Sequence, residues 1–239
     1  MRSRCNPSKA AALIVGLLLA IQATTVSADT LLIDFNDSGT AGFGWNSFSS
    51  GDYDTTQPLI WDDGTPSGIS LQLPNLQDSA NSGWNNANPL PSWAPASVAD
   101  DYAYFNWFVD EFTQAVQFVF TGLDPTATYT LDIIASRNLD RNQDFTLSHG
   151  GGVEFYANWN TRTDGWLAAS VLTIGDLTPG AASEIAMDVQ RAGVSGAFNA
   201  FRLTSIPALT TSTVPEPATF ALTSLGLLVA AARGRRRGR

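Results

Sequence analysis

Apolar and polar residues alternate with a period of two along most of the middle of this chain, the repeat of a strand with one face buried. Gly68–Leu73 reads Gly-Ile-Ser-Leu-Gln-Leu, and Ala127–Ala135 sets Thr128, Thr130 and Asp132 against Tyr129, Leu131 and Ile133. Thr30–Phe35 opens the pattern as a short strand, and Gln114–Phe120 is apolar enough for a strand buried on both faces. Gln143–Leu147, Val153–Ala157, Ala169–Ile174, Ser183–Val189 and Ala197–Ile206 continue it. Turn chemistry separates them: Gly64-Thr-Pro66, Gly122-Leu-Asp-Pro125, Gly150-Gly-Gly152, Asp176-Leu-Thr-Pro-Gly180 and Arg191-Ala-Gly193. No segment between the two ends sustains a helical period. About eight to ten short strands with regular turns predict an all-β fold, an antiparallel β-sandwich of jelly-roll type.

One stretch breaks the alternation. Asn75–Asp101 is rich in Asn, Ser and Pro and holds Trp84 and Trp93. It predicts a long excursion at one end of the sandwich, where binding surfaces often lie. After the last strand, residues 207–213 form a Thr-rich linker, and no internal repeat is present.

The two ends are patterned differently. Arg2, Arg4 and Lys9 precede an apolar run, Ala10–Ile21, and the small residues Val26-Ser27-Ala28 follow it. That order predicts a signal peptide over 1–28, cut by signal peptidase between Ala28 and Asp29. Cys5 lies upstream of the apolar run, so lipoprotein-type processing is not expected. At the other end Pro215-Glu216-Pro217 precedes the apolar run Ala218–Ala232 and five arginines within 233–239. Fifteen helical residues rise about 22 Å, short against a hydrocarbon core of about 30 Å. Snorkelling or local thinning lets such a segment span as a membrane helix. The arginines favour a cytoplasmic C-terminus, with the domain outside.

This tail resembles the PEP-CTERM sorting signal of Gram-negative bacteria, over residues 214–239. The resemblance implies that an exosortase, a membrane-embedded cysteine transpeptidase-like enzyme, reads Pro215, Glu216 and Pro217 and cleaves nearby. The protein would be anchored transiently, then released to the cell surface or extracellular matrix. Prolines suit the role because they hold the site extended. The organisation is therefore signal peptide 1–28, β-sandwich 29–206, linker 207–213 and sorting signal 214–239.

Charge sharpens what the exported domain can meet. The whole chain carries −9, but three basic residues lie in the leader and five in the tail. Residues 29–213 keep five arginines (137, 141, 162, 191 and 202) against 21 acids, a charge of −16, and no lysine. Such a surface repels nucleic acid and anionic lipid. It suits divalent cations, neutral glycans or plain solubility. The domain has no cysteine, which removes disulfides, Cys nucleophiles and Cys-zinc sites.

Several short segments resemble a galactose-binding-like jelly-roll domain of exported bacterial proteins. They are Ile33-Asp-Phe35 with Trp45-Asn46, the run Gly122–Thr130, Ala135-Ser-Arg137, and Ala197–Leu203. The resemblance implies this fold and a carbohydrate-binding role, with no catalytic residue and no transferred ligand residue.

Candidate chemistry is thin. His149-Gly-Gly-Gly152 is similar to an oxyanion-hole loop, but no Gly-x-Ser-x-Gly is present and His149 is the only histidine, so it reads as a hairpin turn. Asp62-Asp63, Asp100-Asp101 and Asp110-Glu111 are adjacent acids, which point apart on a strand or face water in a loop. No catalytic residue is expected. Asp34, Asn36 and Asp37, or the group Asp52, Asp54, Asp62 and Asp63, could supply oxygens to a structural calcium, without any EF-hand spacing. No cofactor is otherwise called for. The ligand candidates are Trp84 and Trp93 for stacking on sugar rings, Asn85 for hydroxyls, and Arg137 at a strand end. The expected function is that of an exported, non-enzymatic surface or matrix protein associating with extracellular polysaccharide. A polysaccharide hydrolase and a ligand-free structural matrix protein stay open as alternatives.

Overall fold

The alternating segments are strands. In the computed structural model the described residues are 28–35, 41–74, 76, 78–80, 90–95, 97–98, 102–105, 116–135, 142–160, 171–191 and 196–208. They belong to one unit spanning Ser27–Ala208. Residues 1–27 of the leader and the sorting tail lie outside them, as do Trp84, Asn85, Arg137, Asn36 and Asp37.

In chain order the strands are β1 (Asp29–Phe35), β2 (Trp45–Phe48), β3 (Thr56–Ile60), β4 (Pro66–Gln72), β5 (Asp78–Ala80), β6 (Tyr102–Phe105), β7 (Val116–Thr121), β8 (Thr128–Ile134), β9 (Asn142–His149), β10 (Gly152–Asn160), β11 (Val171–Leu177), β12 (Glu184–Arg191), β13 (Gly196–Phe198) and β14 (Ala200–Ile206). They form a five-stranded sheet in the order β11-β8-β14-β1-β2, a six-stranded sheet β10-β9-β12-β7-β4-β3, and a three-stranded sheet β13-β6-β5. Thirteen of the fourteen strands pair antiparallel with at least one neighbour; β2 departs from expectation by lying parallel to β1, with Leu32 opposite Trp45.

The larger two sheets share one core. Leu31, Ile33, Tyr129, Leu131, Phe201 and Leu203 come from the first, and Ile69, Leu71, Phe120, Phe145, Leu147 and Met187 from the second. Phe118 on β7 joins the layers: its ring lies 5.6 Å from Phe35 and 5.2 Å from Phe201, edge to face. It also meets Phe198 of the third sheet at 5.1 Å. Edge-to-face packing suits aromatic quadrupoles and adds to plain burial.

The last predicted strand, Ala197–Ile206, is interrupted. Asn199 donates its N–H to the Ile134 carbonyl and accepts from the Phe35 N–H with its own carbonyl, both at 2.9 Å. The chain there leaves the three-stranded sheet and enters the five-stranded one. The three-stranded sheet thus meets the ends of β1 and β8, and two of its strands come from the excursion and the segment after it.

Two buried side-chain amides act as extra backbone. Gln143 on β9 donates to the Ala197 carbonyl at 3.1 Å and accepts from the Ala197 N–H at 3.0 Å. Asn46 on β2 donates to the carbonyls of Leu32 and Ile60 and accepts from the Ile60 N–H at 2.8 Å. Each bonds polar backbone that would otherwise be buried unpaired. At the Gly122 turn, φ is +76° and a Cβ would stand 2.6 Å from the Gly68 carbonyl oxygen, so only glycine fits. Just beyond, the Tyr129 hydroxyl accepts from the Asp124 N–H at 2.9 Å and locks the entry to β8. Burial pushes the Tyr129 hydroxyl above its ordinary pKa.

Candidate functional site

Strand register sets the surfaces on which function could act. On the outer face of the five-stranded sheet one row crosses all five strands: Thr173, Asp132, Arg202, Leu32 and Trp45 stand directly opposite one another in turn. Asp132 is 2% exposed. Its Oδ2 takes the Arg202 Nε at 2.7 Å and an Arg202 terminal nitrogen at 2.5 Å, and its Oδ1 accepts from the Thr173 hydroxyl at 2.5 Å. A buried carboxylate needs such partners. The Arg202 guanidinium in turn lies 4.8 Å over the centre of the Trp93 ring, a cation–π contact.

Trp93, a candidate platform for sugar, is placed here. It stacks on Trp45 at 6.3 Å and 23°, and is half-buried. Around it Ala94 and Val98 pack on Ile134 and Ala200, with Ala41 and Val171 at the margin. This part of the excursion folds back as a cover on the five-stranded sheet, and its tryptophan is engaged by Trp45 and Arg202. Arg202, Asp132 and Trp45 are absent from the sequence candidates. Their signal is a polar residue at an outward position between apolar ones, Asp132 in β8 and Arg202 in β14, and only the register unites them.

The acids divide among local tasks. Asp52 accepts from the Ser49 N–H at 2.9 Å in a 3-10 turn. Asp63 accepts from the Thr65 hydroxyl at 2.7 Å and its N–H at 2.9 Å, and these bonds hold its carboxyl below the usual range. Asp124 does the same with Thr126, whose amide and then hydroxyl lower it. Asp34 is buried opposite Ala200 and Ser47. Among the described residues no three His, Cys, Asp or Glu side chains come together as a metal would require.

His149 ends β9 at a two-residue hairpin, Gly150-Gly151. A Cβ on Gly150 would lie 2.4 Å from the Pro179 carbonyl oxygen, because its N–H donates to the Thr178 carbonyl at 2.7 Å. The His149 Nδ1 accepts from the Gly151 N–H at 3.1 Å, which leaves the neutral ring's proton on Nε2, 3.4 Å from Glu154. The Tyr156 hydroxyl donates to the other Glu154 oxygen. Burial, and then Glu154, push Tyr156 up to about 12. This histidine orients a glutamate and a tyrosine at a hairpin.

On the outer face of the six-stranded sheet the side towards β10 is exposed, while Val119 of β7 is buried. Thr146 and Ser148 on β9, Asp188 on β12 and Gln117 on β7 are half-buried or exposed, and beside them β10 exposes Val153 at 69% and Phe155 at 64%. Gln117 donates its amide to Asp188 at 2.9 Å.

Comparison with known proteins adds the tail. Residues 213–237 match the family model described as the PEP-CTERM protein-sorting motif. The match takes in Pro215-Glu216-Pro217, the apolar run and most of the arginines. The chain carries a PEP-CTERM sorting motif. The motif implies an exported protein sorted through an exosortase system. No curated protein matches the chain. Among solved structures it is similar to a carbohydrate-binding module, TmCBM61, solved in complex with beta-1,4-galactotriose, at 17% identity and a TM-score of 0.27, over 44% of this chain and 70% of that one. Ala28 and Asp29, where export cleavage is expected, are exposed at the start of β1. Asp29 stands opposite Ser205, one residue before the end of β14, from which the chain continues towards the motif. Among the described residues no helix is long and apolar enough to cross a membrane.

Proposed function

We propose that this is a non-enzymatic protein of the cell surface or extracellular matrix of a Gram-negative bacterium, associated with extracellular polysaccharide. The observation that carries the reading is the sorting motif at 213–237 behind an all-β domain. The domain is read as a sandwich of galactose-binding-like jelly-roll type, from the short sequence resemblances and the two large sheets over one core. Signal peptidase and an exosortase act on it during export, and the apolar segment 218–232 holds it in the membrane until cleavage near Pro215-Glu216-Pro217.

Two further observations support a binding rather than a catalytic role. Asp52, Asp63, Asp132 and Glu154 serve a turn, a loop, an ion pair with Arg202 and a hairpin, whereas glycoside hydrolysis needs two carboxyl groups facing one cleft. A lysine-free domain of charge −16 also favours a neutral, hydroxyl-rich polymer over an anionic one.

Mass spectrometry of the mature C-terminus tests the sorting half. The wild-type chain should end near Pro217, and a variant with Pro215, Glu216 and Pro217 all changed to alanine should keep its arginines. A wild-type protein that retains 233–239 refutes cleavage. Pull-down with soluble and insoluble polysaccharides, with and without calcium, tests the other half, and background binding throughout would remove it.

A further inference from the structure

We propose that the outer face of the six-stranded sheet, centred on Phe155, is where a neutral polysaccharide chain lies; this rests on the polysaccharide reading above and names its site. On β10 the side chains of Val153, Phe155 and Ala157 stand exposed on one face, while Tyr156 and Trp159 pack against the core on the other. Phe155 begins a row of directly opposed residues, Phe155, Thr146, Asp188 and Gln117. Next to it runs a second row, Val153, Ser148, Ala186, Val119, Gln72 and Thr56, across all six strands. The first row covers three strand spacings, about 14 Å, which accommodates a short run of sugar rings.

The chemistry along these rows matches a pyranose. A sugar ring has an apolar C–H face and a rim of hydroxyls. An exposed aromatic ring takes the face, and neighbouring hydroxyl, amide and carboxylate groups take the rim. The Gln117 amide is held in place by Asp188, so part of the polar rim is ordered before any ligand arrives.

Charge and edge geometry choose this occupant over others. The face carries Asp144, Asp188 and Glu184 and, among its described side chains, no Lys, Arg or His. Anionic polymers and a second copy of a −16 domain are repelled. Strand addition at the edge of β10, unpaired among the described strands, is obstructed by the register shift between Tyr156 and Trp159, a bulge of the kind that blunts sheet edges. The opposite outer face, on the five-stranded sheet, is covered by Trp93, Ala94 and Val98.

The test is affinity electrophoresis of the full chain in detergent, through gels containing dextran, hydroxyethylcellulose or glucomannan, with alginate as the anionic comparison. At least one neutral polymer should retard the wild type, and alginate should not. Phe155→Ala should weaken that binding by about tenfold or more, the scale of losing one aromatic contact, and Phe155→Trp should keep it. Thr146→Arg, which puts a long side chain in the same row, is the second variant and decides the matter if Phe155→Ala fails to fold. Retardation that survives both variants overturns the site and leaves the polysaccharide reading standing. No retardation by any neutral polymer overturns the reading as well, and stronger retardation by alginate overturns the choice of a neutral ligand.

Discussion

Phe118→Ala should be among the most damaging single changes in the domain. The side chain is 0% exposed and its ring meets Phe35, Phe198 and Phe201 at 5.1–5.6 Å, all edge to face. Removing a buried phenylalanine costs about 3–5 kcal/mol through lost transfer energy and the cavity left behind. Each aromatic pair adds about 0.5–1.5 kcal/mol beyond area, and three are lost, so the upper half of that range applies. The cavity also lies where three sheets meet, and none can close it without parting from another. Phe118→Leu refills much of the volume but not the ring geometry, and should cost about 1–3 kcal/mol less than the alanine change. The assay is urea unfolding followed by tryptophan fluorescence. With a slope near 2 kcal/mol per molar, the midpoint should fall by about 2 M for Phe118→Ala. A loss below about 1 kcal/mol would refute the hub, and so would a leucine variant as unstable as the alanine one.

Arg202→Met should cost about 2 kcal/mol, between an exposed and a buried ion pair, because Asp132 is buried while the arginine side chain is 31% exposed. Changing Asp132 and Arg202 together to Leu and Met should cost less than the sum of the singles, and an additive cycle in the same unfolding assay would refute their coupling. Gln143→Ala strips partners from both the N–H and the carbonyl of buried Ala197, and should lower stability by about 2–4 kcal/mol; a neutral result in thermal unfolding would show that water replaces the amide. Tyr156 titrates near 12 in the fold against an ordinary value of 10. The neutral phenol is the form the fold favours, so its contribution is complete below pH 10 and is lost as pH rises through 12. Ultraviolet titration should show late tyrosinate absorbance from Tyr156 beside that of buried Tyr129; Phe in place of Tyr156 should remove the first share, and stability of that variant should fall less across pH 10–12.

Alternation exposed the strands whose two faces differ most. In β9 and β12 every second residue is buried, and in β8 the alternation runs as far as Leu131 before both faces are covered; these strands lie where the pattern puts them. It missed β2 and β3, of four and five residues, where Pro58 and the neighbouring turns break the pattern. It also missed β5 in the Asn- and Pro-rich stretch and β6 just after it, which form a sheet through pairing of β6 with both β5 and β13. The parallel pairing of β1 and β2 has no local signature at all. The Arg202–Asp132 pair was invisible for a related reason: 70 residues separate the partners, and only register makes them neighbours. Phe155 is the opposite case. It sits in the alternating run Val153–Ala157, but an exposed phenylalanine and a buried one look alike until the sheet has two sides.

The position of β14 has a mechanical consequence. This strand runs between β8 and β1 and is hydrogen-bonded to both, and the chain continues from its end towards the sorting motif. Tension applied along β14 from its C-terminal end would load both ladders in shear, so they would have to yield together. An edge strand in the same place would peel one bond at a time. If polymer grips the other sheet, tension would cross the aromatic core around Phe118 before it reaches β14, and the domain would work as a coupling between the two sheets.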